Sequence, residues 1–171
     1  TLFKYHAACY GTHAPIEAAR DFLAAHDPDE IEAIEIHVGT MTLGMCDIET
    51  PTSPLECKFS MHHTVAMVLA GIDTSSLDNF SAEMAANPRL AGLRDKMRVV
   101  GGFEDEHGIM SAKLVINTKS ETLEFYRHTG HPNDDLANQQ IRLEEKYDAL
   151  ATPILGDAAN ALKQAVKNIK E

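Results

Sequence analysis

An unbroken apolar run from Val65 to Ala70 closes the stretch 55–71, LECKFSMHHTVAMVLAG, and constrains the fold more than any other segment. A helix that is apolar on all sides must be packed on more than one side, so a chain of this size has to be built around it. Its first turns are different. At helical spacing, i, i+4 places Lys58 beside His62 and Phe59 beside His63, so an ammonium and an imidazole share a face where the buried part begins. An ammonium entering a partly dry environment keeps its charge when an anion meets it there, and a neighbouring imidazole adds a donor or a proton acceptor. The stretch is therefore a candidate anion site, with Lys58 as a cation and His62 and His63 as proton-transfer groups. The same residues also suit plain packing, because edge histidines hydrogen-bond within cores and lysines snorkel to water.

The 171 residues suffice for one domain with a real core, with or without an appendage. A net charge of −11 argues against a nucleic-acid partner, which needs a basic face to release counterions. It also means that any attraction for an anionic ligand must come from a local cluster of cations. No apolar run approaches the roughly 20 residues of a membrane span, and no charged-then-apolar leader is visible, so no membrane partner and a cytoplasmic location are expected. Cys9, Cys46 and Cys57 are an odd number without CxxC spacing, which points to free thiols. The chain opens at Thr1 within what reads as an ordered segment, as expected of a fragment of a longer protein.

The N-terminal stretch is extended as far as Gly11 and then enters a helix, with Thr12 as N-cap, Pro15 in the first turn and Ile16, Ala19, Phe22 and Leu23 as the apolar stripe. Its backbone N–H groups favour anions, and Lys4, His6 and His13 lie close in sequence, which makes Lys4 and His13 candidate substrate-binding residues. IEAIEIHVG alternates as a half-buried strand with Ile34, Ile36 and Val38 on one face and Glu35 and His37 on the other. The stretch 40–54 has no usable period and reads as a loop. Beyond Gly71 the pattern predicts a short helix over 77–85, a break at Asn87-Pro88, a second helix to Lys96 and a short strand, MRVV. AKLVINT and TLEFYRH form a hairpin with Leu114 and Ile116 facing the same way as Leu123 and Phe125. Its connection, KSE, lacks glycine and asparagine, so a strained loop is expected.

After the loop 130–135 come two helical segments, split near Pro153 and Gly156. Their narrow apolar stripes, Leu143, Tyr147 and Leu150, then Leu155, Leu162, Val166 and Ile169, lack a partner in this chain. The expected fold class is α+β: a small, mainly antiparallel sheet covered by helices over 1–130, followed by a terminal helical pair over 131–171. The orphaned stripes also lead us to expect a homo-oligomer.

Two stretches, FKYHAACYGTHAPIEAA at 3–19 and PLECKFSMHHTVAMVLAG at 54–71, together resemble the C-terminal half of the MmgE/PrpD family, which includes 2-methylcitrate dehydratase, cis-aconitate decarboxylase and iminodisuccinate epimerase. Weaker likenesses follow in the same order at 87–100, 112–126 and 130–150. The resemblance implies a cofactor-independent lyase or isomerase acting on a di- or tricarboxylate, with its site between a large helical domain and a smaller α+β lid. This chain is similar to the lid and the start of the closing helices, which implies that the helical domain is a missing partner and that the fragment alone is inactive. Lys4 matches the lysine at the start of the lid. His63 stands where relatives often have tyrosine, so the role of a phenol would pass to an imidazole.

Other readings compete. Cys9 beside His6 and His13 has the residue types of a thiol nucleophile, but no orienting residue accompanies it and a packing cysteine is the simpler reading. His128-x-x-His131 with His62 and His63 has the residue types of a metal site but not the i, i+4 spacing or a supporting carboxylate, so no metal is expected. A stand-alone module that binds a carboxylate or a partner helix without catalysis is the alternative from a different class.

Overall fold

The computed structural model describes residues 1–169. A short 3-10 turn, Tyr10–Thr12, leads into α1, His13–Leu23. Strand β1, Ile31–Val38, is followed by α2, Thr40–Cys46, α3, Pro54–Lys58, and α4, Met61–Leu69. Then come α5, Ala82–Ala85, α6, Pro88–Arg94, β2, Met97–Val100, the hairpin β3, Ser111–Thr118, and β4, Thr122–His128, and the terminal helices α7, Leu136–Leu155, and α8, Ala158–Lys167.

The four strands form one sheet in the order β2-β1-β3-β4. β1 is antiparallel to β3, and β3 to β4, while β2 lies parallel to β1. The sheet is therefore mixed, and the fold is α+β as expected. β1 alternates as its sequence predicts, with Ile34, Ile36 and Val38 buried. In the hairpin, Leu114 pairs with Phe125 and Ile116 with Leu123, as the pattern requires. The apolar face of the sheet is covered by α1 and α4. Phe22 of α1 meets Phe125 edge-on at 5.8 Å between ring centroids, a favoured aromatic arrangement.

Four local expectations are corrected. The stretch 55–71 is not one helix but two, because Ser60 adopts extended backbone angles between them. The Ser60 hydroxyl accepts from His63 N at 2.9 Å and donates to the Ile48 carbonyl, so this side chain competes with helix continuation and caps α4 instead. Lys58 and His62 consequently do not sit one turn apart on a common helix. The stretch 40–54 is not all loop, since Thr40–Cys46 is helical. Thr42 and Cys46, at i and i+4, are buried, while Met41 and Met45 face outward and hide the period. Close approach is possible here because Gly11 has no side chain: a Cβ on it would lie 3.2 Å from Cys46 Sγ and 3.3 Å from Thr42 Cγ2.

The helix expected over 77–85 shrinks to Ala82–Ala85, with Ser81 as its cap. The hairpin loop is unstrained: Thr118 Oγ1 accepts from the backbone N–H groups of Ser120 and Glu121, and among the described residues no non-glycine has a positive φ. A threonine at the strand end thus replaces the glycine that such loops usually use.

α7 runs through the exposed Pro153 and ends at Gly156, whose φ of 52° places it in the region that glycine tolerates best. Leu155, Leu162, Val166 and Ile169 are exposed, so the second terminal stripe remains uncovered, whereas Leu143, Tyr147 and Leu150 of the first are half-buried within this chain. Among the described residues no helix is long and apolar enough to cross a membrane.

Ser60→Ala is expected to destabilise the chain by about 1–2 kcal/mol through loss of the cap. Urea unfolding monitored by circular dichroism measures it, and an unchanged midpoint would contradict the assigned role of Ser60.

Candidate functional site

The N-terminal segment runs between α3 and α7, and backbone hydrogen bonds hold it there. Cys9 N donates to the Lys58 carbonyl at 2.9 Å and Ala7 N to the Thr74 carbonyl at 2.8 Å. This brings Lys4 and Lys58, far apart in sequence, to the wall of one cleft of about 310 Å³. Lys146 of α7 lines the same cleft, and its ammonium also donates to the His6 carbonyl at 3.2 Å. Burial, then the neighbouring Lys4, lowers the Lys146 pKa. Three amines therefore converge on one concavity in a chain of net charge −11. Lysine side chains gathered at one concavity favour an anionic occupant over a cationic one.

Behind them lies a buried polar network centred on Glu17 of α1. His6 Nε2 lies 2.7 Å from Glu17 Oε1, and His6 Nδ1 lies 2.7 Å from Thr74 Oγ1. A carboxylate only accepts, so the proton sits on Nε2, and Nδ1 accepts from the Thr74 hydroxyl. Burial keeps this imidazole neutral by lowering its pKa below the usual value. Arg142 of α7 approaches Glu17 with both terminal nitrogens, at 2.5 and 3.3 Å, and its guanidinium carbon lies 3.9 Å from the Tyr5 ring centre. Burial opposes ionisation of Glu17, but the His6 and Arg142 hydrogen bonds outweigh it and hold the carboxyl at about 2.

His13, at the start of α1, is buried, packs edge-on to His6 at 4.8 Å and stacks on Tyr10 at 4.7 Å. Its Nε2 has no hydrogen-bond partner. Burial, assisted by His6, Lys4 and Lys146, lowers its pKa to about 3, so the ring is uncharged at neutral pH. His13 lines a second cleft of about 670 Å³ with Glu17, Arg127 and Arg142. A third, of about 440 Å³, shares His6 and Lys146 with the amine cleft and Tyr5 and Arg142 with the His13 cleft.

His62 and His63 lie elsewhere. Both are buried on α4 and line none of these clefts. His62 Nε2 is 3.3 Å from Asp47 Oδ1. His63 Nδ1 accepts from Arg94 of α6 at 3.1 Å, and Arg94 also donates to the Ala85 carbonyl. Burial first, and Arg94 second, lower the His63 pKa to about 4. Thr12, expected to cap α1, instead donates its hydroxyl to the Cys9 carbonyl at 2.8 Å.

The structure thus unites Lys4 with Lys58, sets His13 in an adjoining cleft, and keeps His62 and His63 apart from both. Glu17, Arg142 and Lys146 were not singled out as site residues from the sequence. The spacing of Arg142 and Lys146, i and i+4 on one face of α7, is the only sequence signal for the latter two.

The model of the MmgE/PrpD C-terminal domain matches residues 6–171. The chain belongs to that family. Comparison with curated proteins returned no match. The MmgE/PrpD match spans both the α+β body and the terminal helices, so the N-terminal segment, α1, α3 and α7 that build the clefts all lie within it, apart from the first five residues.

The buried histidines make stability pH-dependent. Their folded-state pKa values lie below the ordinary 6.5, so as pH falls the unfolded chain takes up protons first. Their contribution is fully present above about pH 6.5 and is lost as pH falls toward about 4 for His63 and about 3 for His13. Glu17, lowered from 4.5 to about 2, acts in the same direction between those two values. Melting temperatures from pH 7.5 to 4 are expected to fall with acidification, each fully titrating group adding a slope of up to ~1.4 kcal/mol per pH unit. His13→Gln is expected to flatten the decline, and an identical profile for that variant would exclude a buried neutral His13.

Proposed function

We propose that this chain supplies the carboxylate-binding half of a lyase or isomerase site of the MmgE/PrpD type, completed by a helical domain preceding it in the full-length protein. The observation that carries this reading is the convergence of Lys4, Lys58 and Lys146 on one cleft in an acidic chain. The proposed substrate class is a di- or tricarboxylate with a C–H beside a carboxylate, as in a 2-methylcitrate dehydratase-like reaction. The location that suits it is the cytoplasm, where the free Cys9, Cys46 and Cys57 persist as thiols.

Removing such a proton creates enediolate-like charge, which needs a base together with cations placed where the charge develops. Lys4, Lys58 and Lys146 take the carboxylates. The electron pair then expels a β-hydroxyl or recaptures a proton on the opposite face; in a decarboxylation the pair comes instead from the C–C bond that releases carbon dioxide, and a proton is delivered to that carbon. The proton-transfer role read from the sequence for His62 and His63 passes most naturally to His13, since His13 lines a cleft and the other two do not, although His63 Nε2 is unpartnered as well. His13 has an unpartnered ring nitrogen and an uncharged ring. A bound carboxylate nearby raises its proton affinity at the moment it is needed.

In this reading the remaining acid/base groups come from the helical domain, on which the exposed stripe of α7 and α8 packs. Closing the lid then assembles the site.

The isolated chain is expected to bind citrate-like tricarboxylates without turnover. Amide shifts in an NMR titration should be confined to residues near Lys4, Lys58 and Lys146. Affinity should fall about tenfold or more in a Lys4→Ala, Lys58→Ala double variant and weaken with added salt. Turnover by the 171 residues alone would overturn the half-site, and shifts scattered over the surface would overturn the amine cleft.

A further inference from the structure

We infer that His107, His128 and His131 form a binding site for one borderline divalent metal ion of the zinc class. The expectation of no metal rested on His128 and His131 being grouped with His62 and His63. The fold supplies a different third member, His107, from the segment between β2 and β3. One nitrogen from each of the three rings lies within 4.8 Å of the others.

The rings are already gathered. His107 and His128 stack at 3.9 Å between centroids and 7° between planes. His131 stands edge-on to both, at 4.8 and 5.0 Å. His128 Nδ1 is buried with no hydrogen-bond partner, and among the described residues none of the three rings makes a hydrogen bond. A buried ring nitrogen without a partner, such as His128 Nδ1, is costly, and a metal ion satisfies it. Three neutral imidazoles leaving a position for water is a donor set that zinc accepts readily.

The backbone that carries the rings is held independently of any ion. Asp105 Oδ1 accepts from His107 N at 2.9 Å, Gly108 N at 3.1 Å and the Ser111 hydroxyl at 2.7 Å, and Asp105 Oδ2 accepts from the Tyr126 hydroxyl at 2.8 Å. Thr129 N donates to the Met110 carbonyl at 2.7 Å, and Tyr10 clamps the Thr129 carbonyl at 2.7 Å. Gly130 lets the two segments approach, since a Cβ there would lie 3.3 Å from Met110 Sδ and 3.9 Å from His107 Nδ1. Asp105 and Glu106 make the surroundings anionic, with Glu106 Oε1 3.6 Å from His107 Nε2. These are the supports that ligating histidines need around them.

A tetrahedral ion with bonds of ~2.0–2.1 Å needs nitrogens about 3.3 Å apart. Ligation therefore draws the exposed His131 inward and tips the stacked rings out of parallel, because a metal lies near the plane of each imidazole it binds. His128 and His131 also line the cleft that contains His13, so an ion held here borders it.

The test uses the full chain after EDTA dialysis, with ZnCl2 as the probe. Calorimetry is expected to give one zinc per chain, and histidine-detected nitrogen NMR should move only the imidazole resonances of His107, His128 and His131. His131→Ala, at an exposed position, should weaken binding at least tenfold, and His37→Ala, two strands away on β1 and paired with Glu35, should leave it unchanged. Absence of binding at millimolar zinc would overturn the site. So would movement of the His13 or His62 resonances instead, or full binding by His131→Ala.

Discussion

A single half-buried carboxylate holds the two ends of this chain together. Glu17 on α1 accepts from His6 in the N-terminal segment and from the Arg142 fork on α7, joining parts of the sequence that are far apart in the chain. A buried carboxylate is costly when unpaired, so each partner is required by the other. Because Arg142 and Lys146 are one turn apart on α7, docking the first against Glu17 delivers the second to the cleft where Lys4 and Lys58 already lie. The lysine-lined face follows from satisfying one internal charge.

That arrangement resolves a tension in the electrostatics. A chain of net charge −11 repels anions at a distance. Attraction has to be local, within a screening length, and three amines around one concavity provide it. These amines lie at the seam between the α+β body and α7, a position compatible with the proposed two-domain site. The uncovered stripe on α7 and α8 fits the same geometry, since an exposed row of large apolar side chains has no stabilising purpose in isolation.

The buried histidines divide by their surroundings rather than by their sequence context. His62 and His63 are adjacent on α4, yet one is committed to Asp47 and the other to Arg94. His6 is locked between Thr74 and Glu17, while His13 and His63 each keep one ring nitrogen without a partner and only His13 lines a cleft. His107, His128 and His131 gather because Asp105 and Thr129 pin their backbones together.

Period and composition were enough to specify the sheet strands, the hairpin register, the breaks at Pro88 and Gly156 and the α+β class, because each depends on side-chain alternation or on local backbone chemistry. The family likeness, too, was visible in FKYHAACYGTHAPIEAA and the motif ending in VAMVLAG. The break at Ser60 was not legible, since a serine that caps a new helix and one that sits within an old one look alike until Ile48 arrives to accept its hydroxyl. The helical Thr40–Cys46 was hidden because its contact partner is Gly11, remote in sequence. Lys4 and Lys58 were readable as cations, but their meeting with Lys146 and the grouping of three distant histidines depend on long-range packing. Only the tertiary fold decides which charges and which unpartnered nitrogens share a space.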